Sequence, residues 1–469
     1  MSKRLLMHLI AVGVLSAVAI LLLLQLMPTH DDWTYMTAPY VLGSGMKLEY
    51  FCPQDSYWRP FDALIGVVET RWTFLFPALN HVLIYVLHLT NTVLAYRLCR
   101  RFGCSHPSSN VAALLYMFSA AAFGTVLGVD SVNQALNATL GMASLLLYLD
   151  GYLGAWLCMA LCATFAKENG IVYFVLPPAI HYFLLGETRT KDQRKRAFRH
   201  VLLGLGVAAA YGLARTMLAV STEVSEAYTG LGVAKMVVNV FRLLLPTVFP
   251  VDYVSAMYAP KRNLLLFGVT LLSALPFVFY MLRTMFALRR TSRLWQLAVL
   301  WLCCVSIHVL TIVSSMHSYS GLWVFAVLVA WCLDQQRCRK AYVVLYLAAA
   351  LFSLGHHYVA SYESGRMGQR MAQQAVAAMG NEHPDRLAVI TIGDDNPKYS
   401  SFCVAPSAAF GWGLATRRAT DYTWPTEMDC LNVETDDAAR IEALADSVQR
   451  EGIQTVWLVR GDSVFIIRR

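Results

Sequence analysis

The sequence predicts an α-helical polytopic membrane protein of about eleven spans, with a small α/β domain at its C-terminal end. Three observations lead there. Of 469 residues, 57% are hydrophobic and only 14% are charged, whereas a soluble domain carries roughly a quarter charged residues. The apolar residues stand in long runs between short polar segments, and mean hydropathy is +0.49. From His356 onward the pattern changes to a polar helix, alternating strands and an amphipathic helix.

The formal net charge of +8 does not indicate a nucleic-acid partner, because the basic residues fall in short clusters between apolar spans. Of eleven cysteines, Cys99, Cys158, Cys162, Cys303, Cys304 and Cys332 lie in or beside apolar segments and read as small packing residues. Cys403 and Cys430 are in the polar tail, where an oxidising compartment would let them pair.

MSKR followed by LLMHLIAVGVLSAVAILLLLQLM has the basic start and apolar core of a signal peptide. The run is too long for one and no small-residue cleavage site precedes Pro28, so it reads as an uncleaved first span with a cytoplasmic start. Residues 28 to 72 form a long outer loop rich in aromatics, Pro and Gly. Further spans follow at about 74–98, 110–128, 135–149, 152–166, 170–186, 201–220, 263–286, 294–313, 321–333 and 341–355, with 221–262 a second outer loop. With that start, Lys3, Arg4, Arg97, Arg100, Arg101, the run TRTKDQRKRAFRH, Arg283, Arg289, Arg290, Arg293, Arg337, Arg339 and Lys340 all fall on the inner side. This is the positive-inside pattern. It divides the chain into a membrane domain, 1–355, and an extracytoplasmic α/β domain, 356–469, in which RLAVITIGDD and IQTVWLVRGDSVFIIRR are strands and DDAARIEALADSVQREG a helix. The short loops and the lack of eukaryotic sorting signals point to a bacterial inner membrane.

The same topology places several polar residues on the outer side. Asp31 and Asp32 follow the first span directly, where a carboxylate is partly desolvated. The pair is either a solvated cap or a reaction centre, one acid serving as general base while the other helps hold a hard cation. Asp130 lies in the turn GVDSVNQ after the third span. Lys167 and Glu168 interrupt two apolar spans in TFAKENG, as a structural ion pair or as a site in which lysine is a point charge for phosphate. Arg59, in SYWRPF beside Tyr57, Trp58 and Pro60, either clamps a phosphate or anchors the loop at the headgroups. His81, His88 and Asn91 project from roughly one face of the second span, an arrangement that favours interhelical hydrogen bonding over direct catalysis. His317 and Tyr319, in MHSYSG, are weaker candidates.

Asp31–Asp32 after the first span, YWRP at 57–60, NHVLIYVLHLTNTVLAYRL at 80–98 and AKENGI at 166–171, in that order and sidedness, resemble the GT-C superfamily of membrane glycosyltransferases. The likeness is to the protein O-mannosyltransferase branch that includes the transmembrane tetratricopeptide mannosyltransferases, and it covers residues 1 to about 185. It implies transfer of a sugar from a polyprenyl-phosphate donor to a glycan, lipid or protein acceptor at the outer face. By carry-over, Asp31 or Asp32 is the catalytic base and Asp130 the second acid. Arg59 and Lys167 meet the lipid phosphate, with Tyr57, Glu168, His81 and His88 lining the substrate site. Asp31 and Asp130 are the candidate ligands should a divalent cation, Mg or Mn, take part. Two departures stand out: GTVLGVDSVNQ replaces the branch's His-Pro and Glu, and no tetratricopeptide repeats follow. A lipid-linked glycan polymerase or ligase, and a polyprenyl-lipid flippase or transporter, are the competing readings; the transporter predicts internal repeats, and none is evident in the sequence.

Overall fold

The computed structural model describes residues 14–29, 32, 52–53, 58–61, 64–65, 78–184, 190–218, 232–251, 264–311, 313–379, 386–392, 427–433, 436–461 and 463–468. Asp31, Tyr57 and Cys403 lie outside them, so the expected acidic pair is described only at Asp32 and the Cys403–Cys430 pairing not at all.

The helices in chain order are α1 (Val14–Leu23), α2 (Leu79–Arg101), α3 (His106–Met117), α4 (Ala120–Val126), α5 (Val132–Leu149) and α6 (Leu153–Ala166). After an irregular stretch come α7 (Lys191–Leu218), α8 (Val233–Val248), α9 (Leu264–Ala287), α10 (Ser292–Val309), α11 (Leu322–Gln335) and α12 (Lys340–Met379). Among the described residues six helices are long and apolar enough to cross a bilayer, or seven if α3 and α4, bent by 49°, count as one. Leu83, Val86, Val93, Leu202, Leu213, Phe279, Phe286, Val299 and Val344 are exposed on these helices, as on a bundle solvated by lipid. The protein is thus an integral membrane helix bundle.

Each expected span coincides with helical structure, with three differences. The bend between α3 and α4 falls at Phe118–Ser119, where the Ser119 hydroxyl accepts from Ala121 N–H at 3.2 Å and starts a new helix. The span expected at 170–186 is not one helix: a 3₁₀ stretch (Glu168–Phe174), one α turn (Leu176–Ala179) and a π stretch (Ile180–Leu184) follow one another. Pro177 and Pro178 have no N–H for an α ladder, so the helix cannot run through. In the loop expected at 221–262, α8 is an amphipathic helix that exposes Val233, Val237 and Phe241 and buries Asn239 and Leu243. Asn239 pins it to the end of α10 by donating to Val309 O at 3.0 Å and Thr311 O at 2.9 Å.

Helix ends gather into two polar layers. At the basic end, Arg101 pairs with Asp150 and Arg293 donates to Phe102 O. Asp334 there accepts from Ser105 N–H (2.7 Å) and from the Ser108 hydroxyl (2.7 Å). Gly151, at φ +92°, makes the tight turn between α5 and α6 that a side chain would strain. The opposite layer holds the residues singled out above. Its approach distances are small: a Cβ on Gly170 would lie 2.3 Å from Ala163 C and 2.4 Å from Thr164 N, both backbone atoms that cannot swing aside. Gly170→Ala is therefore expected to destabilise the protein by about 3 kcal/mol, as overpacking against fixed neighbours does, which a thermal melt in detergent would read as a clear drop in midpoint.

α12 passes position 356 without a break and carries the C-terminal sheet. The strands β1 (Arg386–Ile392), β2 (Glu427–Val433), β3 (Thr455–Arg460) and β4 (Ser463–Arg468) have the order β2-β1-β3-β4, parallel except for the β3–β4 hairpin. One face packs Ala388, Ile390 and Val456 on Ile441, Ala445 and Val448 of α13 (Ala438–Arg450). The other packs Leu387, Val389, Trp457 and Val459 on Met371 and Ala375 of α12. The expected strands and helix are present, and β2 is an addition.

Candidate functional site

Asp32 is 2% exposed. Its Oδ2 accepts from Thr29 N–H at 3.0 Å and its Oδ1 from Asp130 N–H at 2.8 Å, so one carboxylate ties the end of the first span to the turn between α4 and α5. Burial, and then the charge of Asp130, push the Asp32 carboxyl well above the usual range, against the pull of its backbone N–H bonds. Asp130 itself is half-buried, with the Ser131 hydroxyl 3.0 Å from its Oδ1. The two acids thus form one electrostatically linked corner.

Next to it lies a cationic cluster. Lys167 ends α6 in extended backbone and is 4% exposed. Its Nζ donates to Asn133 Oδ1 at 3.2 Å and sits 3.3 Å from Met316 sulfur. Asn137 holds the turn by donating to Ala163 O (2.8 Å) and Lys167 O (3.0 Å). Arg59 meets Glu168 as a fork: Nε donates to the two carboxylate oxygens at 2.8 and 2.9 Å, and Nη2 to Oε2 at 2.8 Å. Burial pushes the Glu168 carboxyl up, but the Arg59 charge and hydrogen bonds, helped by Lys167, outweigh it and hold the group below the usual range. Trp58 stacks on Tyr211 (5.4 Å between centroids, 12° between planes) and fixes the segment that presents Arg59. Much of Arg59's fork is therefore engaged by Glu168 in a structural ion pair.

Beside this cluster Ser320 is a hub. Its oxygen accepts from Gln134 Nε2 at 2.7 Å and Asn169 Nδ2 at 2.9 Å, and His308 Nε2 is 3.1 Å away. With both lone pairs taken, the Ser320 proton goes to His308 Nε2, which makes His308 neutral with its proton on Nδ1. His317 stacks on His308 at 4.1 Å and 11°, and its Nδ1 accepts from Ser314 N–H at 3.1 Å. Ser320, His308, Gln134 and Asn169 were not singled out in the sequence; the adjacent MHSYSG and GVDSVNQ turns were the available signal.

His81, His88 and Asn91 are all buried. His88 Nε2 donates to Met117 O (3.0 Å), leaving Nδ1 to accept from the Tyr319 hydroxyl (2.8 Å), while Asn91 Nδ2 donates to that hydroxyl (3.0 Å) and to Ala135 O (2.9 Å). That is interhelical cement. His81, near the start of α2, has neither ring nitrogen hydrogen-bonded. For a metal, no group of three or more His, Cys, Asp or Glu converges among the described residues. Of the two expected cation ligands, Asp31 and Asp130, only Asp130 is among the described residues.

No protein-family model matches the chain, and no curated protein does. Among solved structures, the crystal structure of ArnT from Cupriavidus metallidurans bound to undecaprenyl phosphate is similar over 97% of each chain, at 12% identity and a TM-score of 0.47. At that score neither fold nor chemistry is transferred from it.

Proposed function

We propose that the protein is a membrane glycosyltransferase of the GT-C type, which moves a sugar from a polyprenyl-phosphate donor to an acceptor hydroxyl at the outer face of a bacterial inner membrane. The observation that carries this reading is the juxtaposition, at one end of a membrane bundle, of a linked carboxylate corner (Asp32, Asp130) and a buried charged cluster (Lys167, with Arg59 and Glu168). A structural cap needs one of these and not both. Buried charges in a membrane protein are costly unless they serve a purpose.

The chemistry divides between the two. A carboxylate takes the acceptor proton as its oxygen bonds to the anomeric carbon. Asp32 has both oxygens on backbone N–H groups, which suits it to hold the turn; we assign the base to Asp31, with Asp130 completing the acidic corner. The bond from the anomeric carbon to the phosphate oxygen breaks on the opposite face, with inversion, and the lipid phosphate leaves as an anion. Lys167 stabilises it as a point charge, and Arg59 adds to the local positive potential. Glu168 keeps Arg59 in place, Tyr57 and His81 support the substrate side, and His88 braces the helices behind it through Tyr319 and Met117.

Purified protein in nanodiscs, given polyprenyl-phosphate sugars together with a hydroxyl-bearing glycan or lipid acceptor, should release free polyprenyl phosphate, detected by mass spectrometry. Lys167→Met should slow that release on the order of 10²–10³-fold, the usual loss when a preorganised group that stabilises developing charge is removed. Equal rates in wild type and variant would take the leaving-group role away from Lys167.

A further inference from the structure

α12 links the C-terminal sheet to the acidic corner through a contact that tolerates no side chain. Where α12 crosses the end of the first span, Gly365 is buried, and a Cβ there would stand 2.4 Å from Met27 O and 3.0 Å from both Met27 C and Cβ. Nearby, the Tyr358 hydroxyl donates to Leu22 O at 2.8 Å, and Leu23 and Leu26 are buried in a cluster with Tyr358 and Tyr362. Two residues past Met27, Thr29 N–H binds Asp32, whose other oxygen holds the Asp130 N–H.

Further along the same unbroken helix, Met371 and Ala375 pack under Leu387, Val389 and Trp457, and Gln374 Oε1 accepts from Val464 N–H at 2.9 Å. At 1.5 Å of rise per residue, Gly365 and Ala375 are about 15 Å apart along the axis. A helix that is packed at both places cannot tilt at the sheet without pressing on Met27.

We propose that α12 couples the C-terminal domain to the acidic corner, with Gly365 the positioning residue that seats Met27 and, through Thr29, sets the Asp32–Asp130 turn. The coupling gives the C-terminal domain a route to govern the reaction: a ligand that tilts the sheet moves the corner. This rests on the transferase reading for its consequence in catalysis, but not for the coupling itself.

The control is on the same helix, since a Cβ on Gly355 would meet nothing within 4 Å. Amide hydrogen exchange at Asp130, followed by mass spectrometry in nanodiscs, should speed up about tenfold in Gly365→Ala and stay at the wild-type rate in Gly355→Ala. Gln374→Leu, which loosens only the far end and leaves the bundle packing intact, should speed it about threefold; it decides the matter alone if Gly365→Ala does not fold. Wild-type exchange in Gly365→Ala, or in Gln374→Leu, would overturn the coupling. In transfer assays Gly365→Ala should lower kcat on the order of 10²-fold, the scale of a misplacement near 1 Å. It should leave KM for donor unchanged and displace the acid limb of the pH profile, whereas an unchanged rate and profile would deny Gly365 its positioning role. If wild type turns over no donor, the transferase reading fails while the exchange result still stands.

Discussion

Asp31→Asn is expected to lower the rate of sugar transfer by 10²–10⁴-fold with little change in donor binding, the range over which a positioned general base acts. The expectation follows from the division of labour at the corner. Asp32 is nearly inaccessible, and its two oxygens are engaged by the N–H groups of Thr29 and Asp130. An amide in its place would turn an NH₂ toward a backbone N–H, so Asp32→Asn should lose stability as well as rate. Asparagine at 31 keeps size and polarity and removes only basicity. A pH profile separates the two: the acid limb of wild type should be missing from the residual activity of Asp31→Asn.

Arg59→Ala should destabilise the folded protein by about 3 kcal/mol at neutral pH, because it strands a buried carboxylate. The side chains of the pair are 27% and 16% exposed, so water relieves part of the penalty but not most of it. The pH dependence carries a sign. With Arg59 present, the Glu168 carboxyl lies below its unfolded value, near ~4.3. Its contribution is complete above that value and is lost as pH falls through the lower folded one. Arg59→Ala should therefore be most harmful at neutral pH and least harmful in acid, where Glu168 is neutral. Asp32 works the other way: its raised carboxyl makes the ionised form a burden on the fold, relieved as pH falls. Thermal melts of wild type and Arg59→Ala from pH 7 down to about 3, below the unfolded carboxylate value, would show the difference between them shrinking toward acid; a constant difference over that whole range would mean that Arg59 stabilises by packing rather than charge.

How much of this was legible before the structure depended on the range of each signal. Apolar runs are local, so the order of spans could be read, and so could the sidedness that brings Asp32, Asp130, Lys167 and Arg59 to one end. The amphipathic helix α8 escaped because MVVNVFRLLL lies inside a long polar segment and is too short to suggest a span. The broken stretch after Glu168 escaped because Pro177 and Pro178 were outweighed by the surrounding hydrophobicity. Strand β2, EMDCLNV, alternates weakly and gains its place from pairing with β1 rather than from its own pattern.

At the site, residue types were legible and pairings were not. Arg59 and Glu168 are 109 residues apart, so nothing local said that Glu168 would occupy the fork read as a phosphate clamp. Ser320 lies 186 residues from Gln134 and 151 from Asn169, and a lone serine in MHSYSG carries no mark of a hub. The polar stripe on the second span was readable because its spacing is that of one helix face; His88 and Asn91 hydrogen-bond beyond their own helix, whereas neither ring nitrogen of His81 does.

As a transferase, the bundle would break the bond between a sugar and a lipid phosphate; as a transporter, it would carry the intact lipid across the membrane. The most direct measurement follows radiolabelled sugar on polyprenyl-phosphate donors in proteoliposomes with wild type or Asp31→Asn, resolving sugar transferred to acceptor from lipid moved between leaflets. Transfer by wild type, loss of transfer in Asp31→Asn with donor still bound, and no difference in lipid movement are expected. Movement of intact donor by both proteins, with no sugar released by either, would contradict the transferase reading.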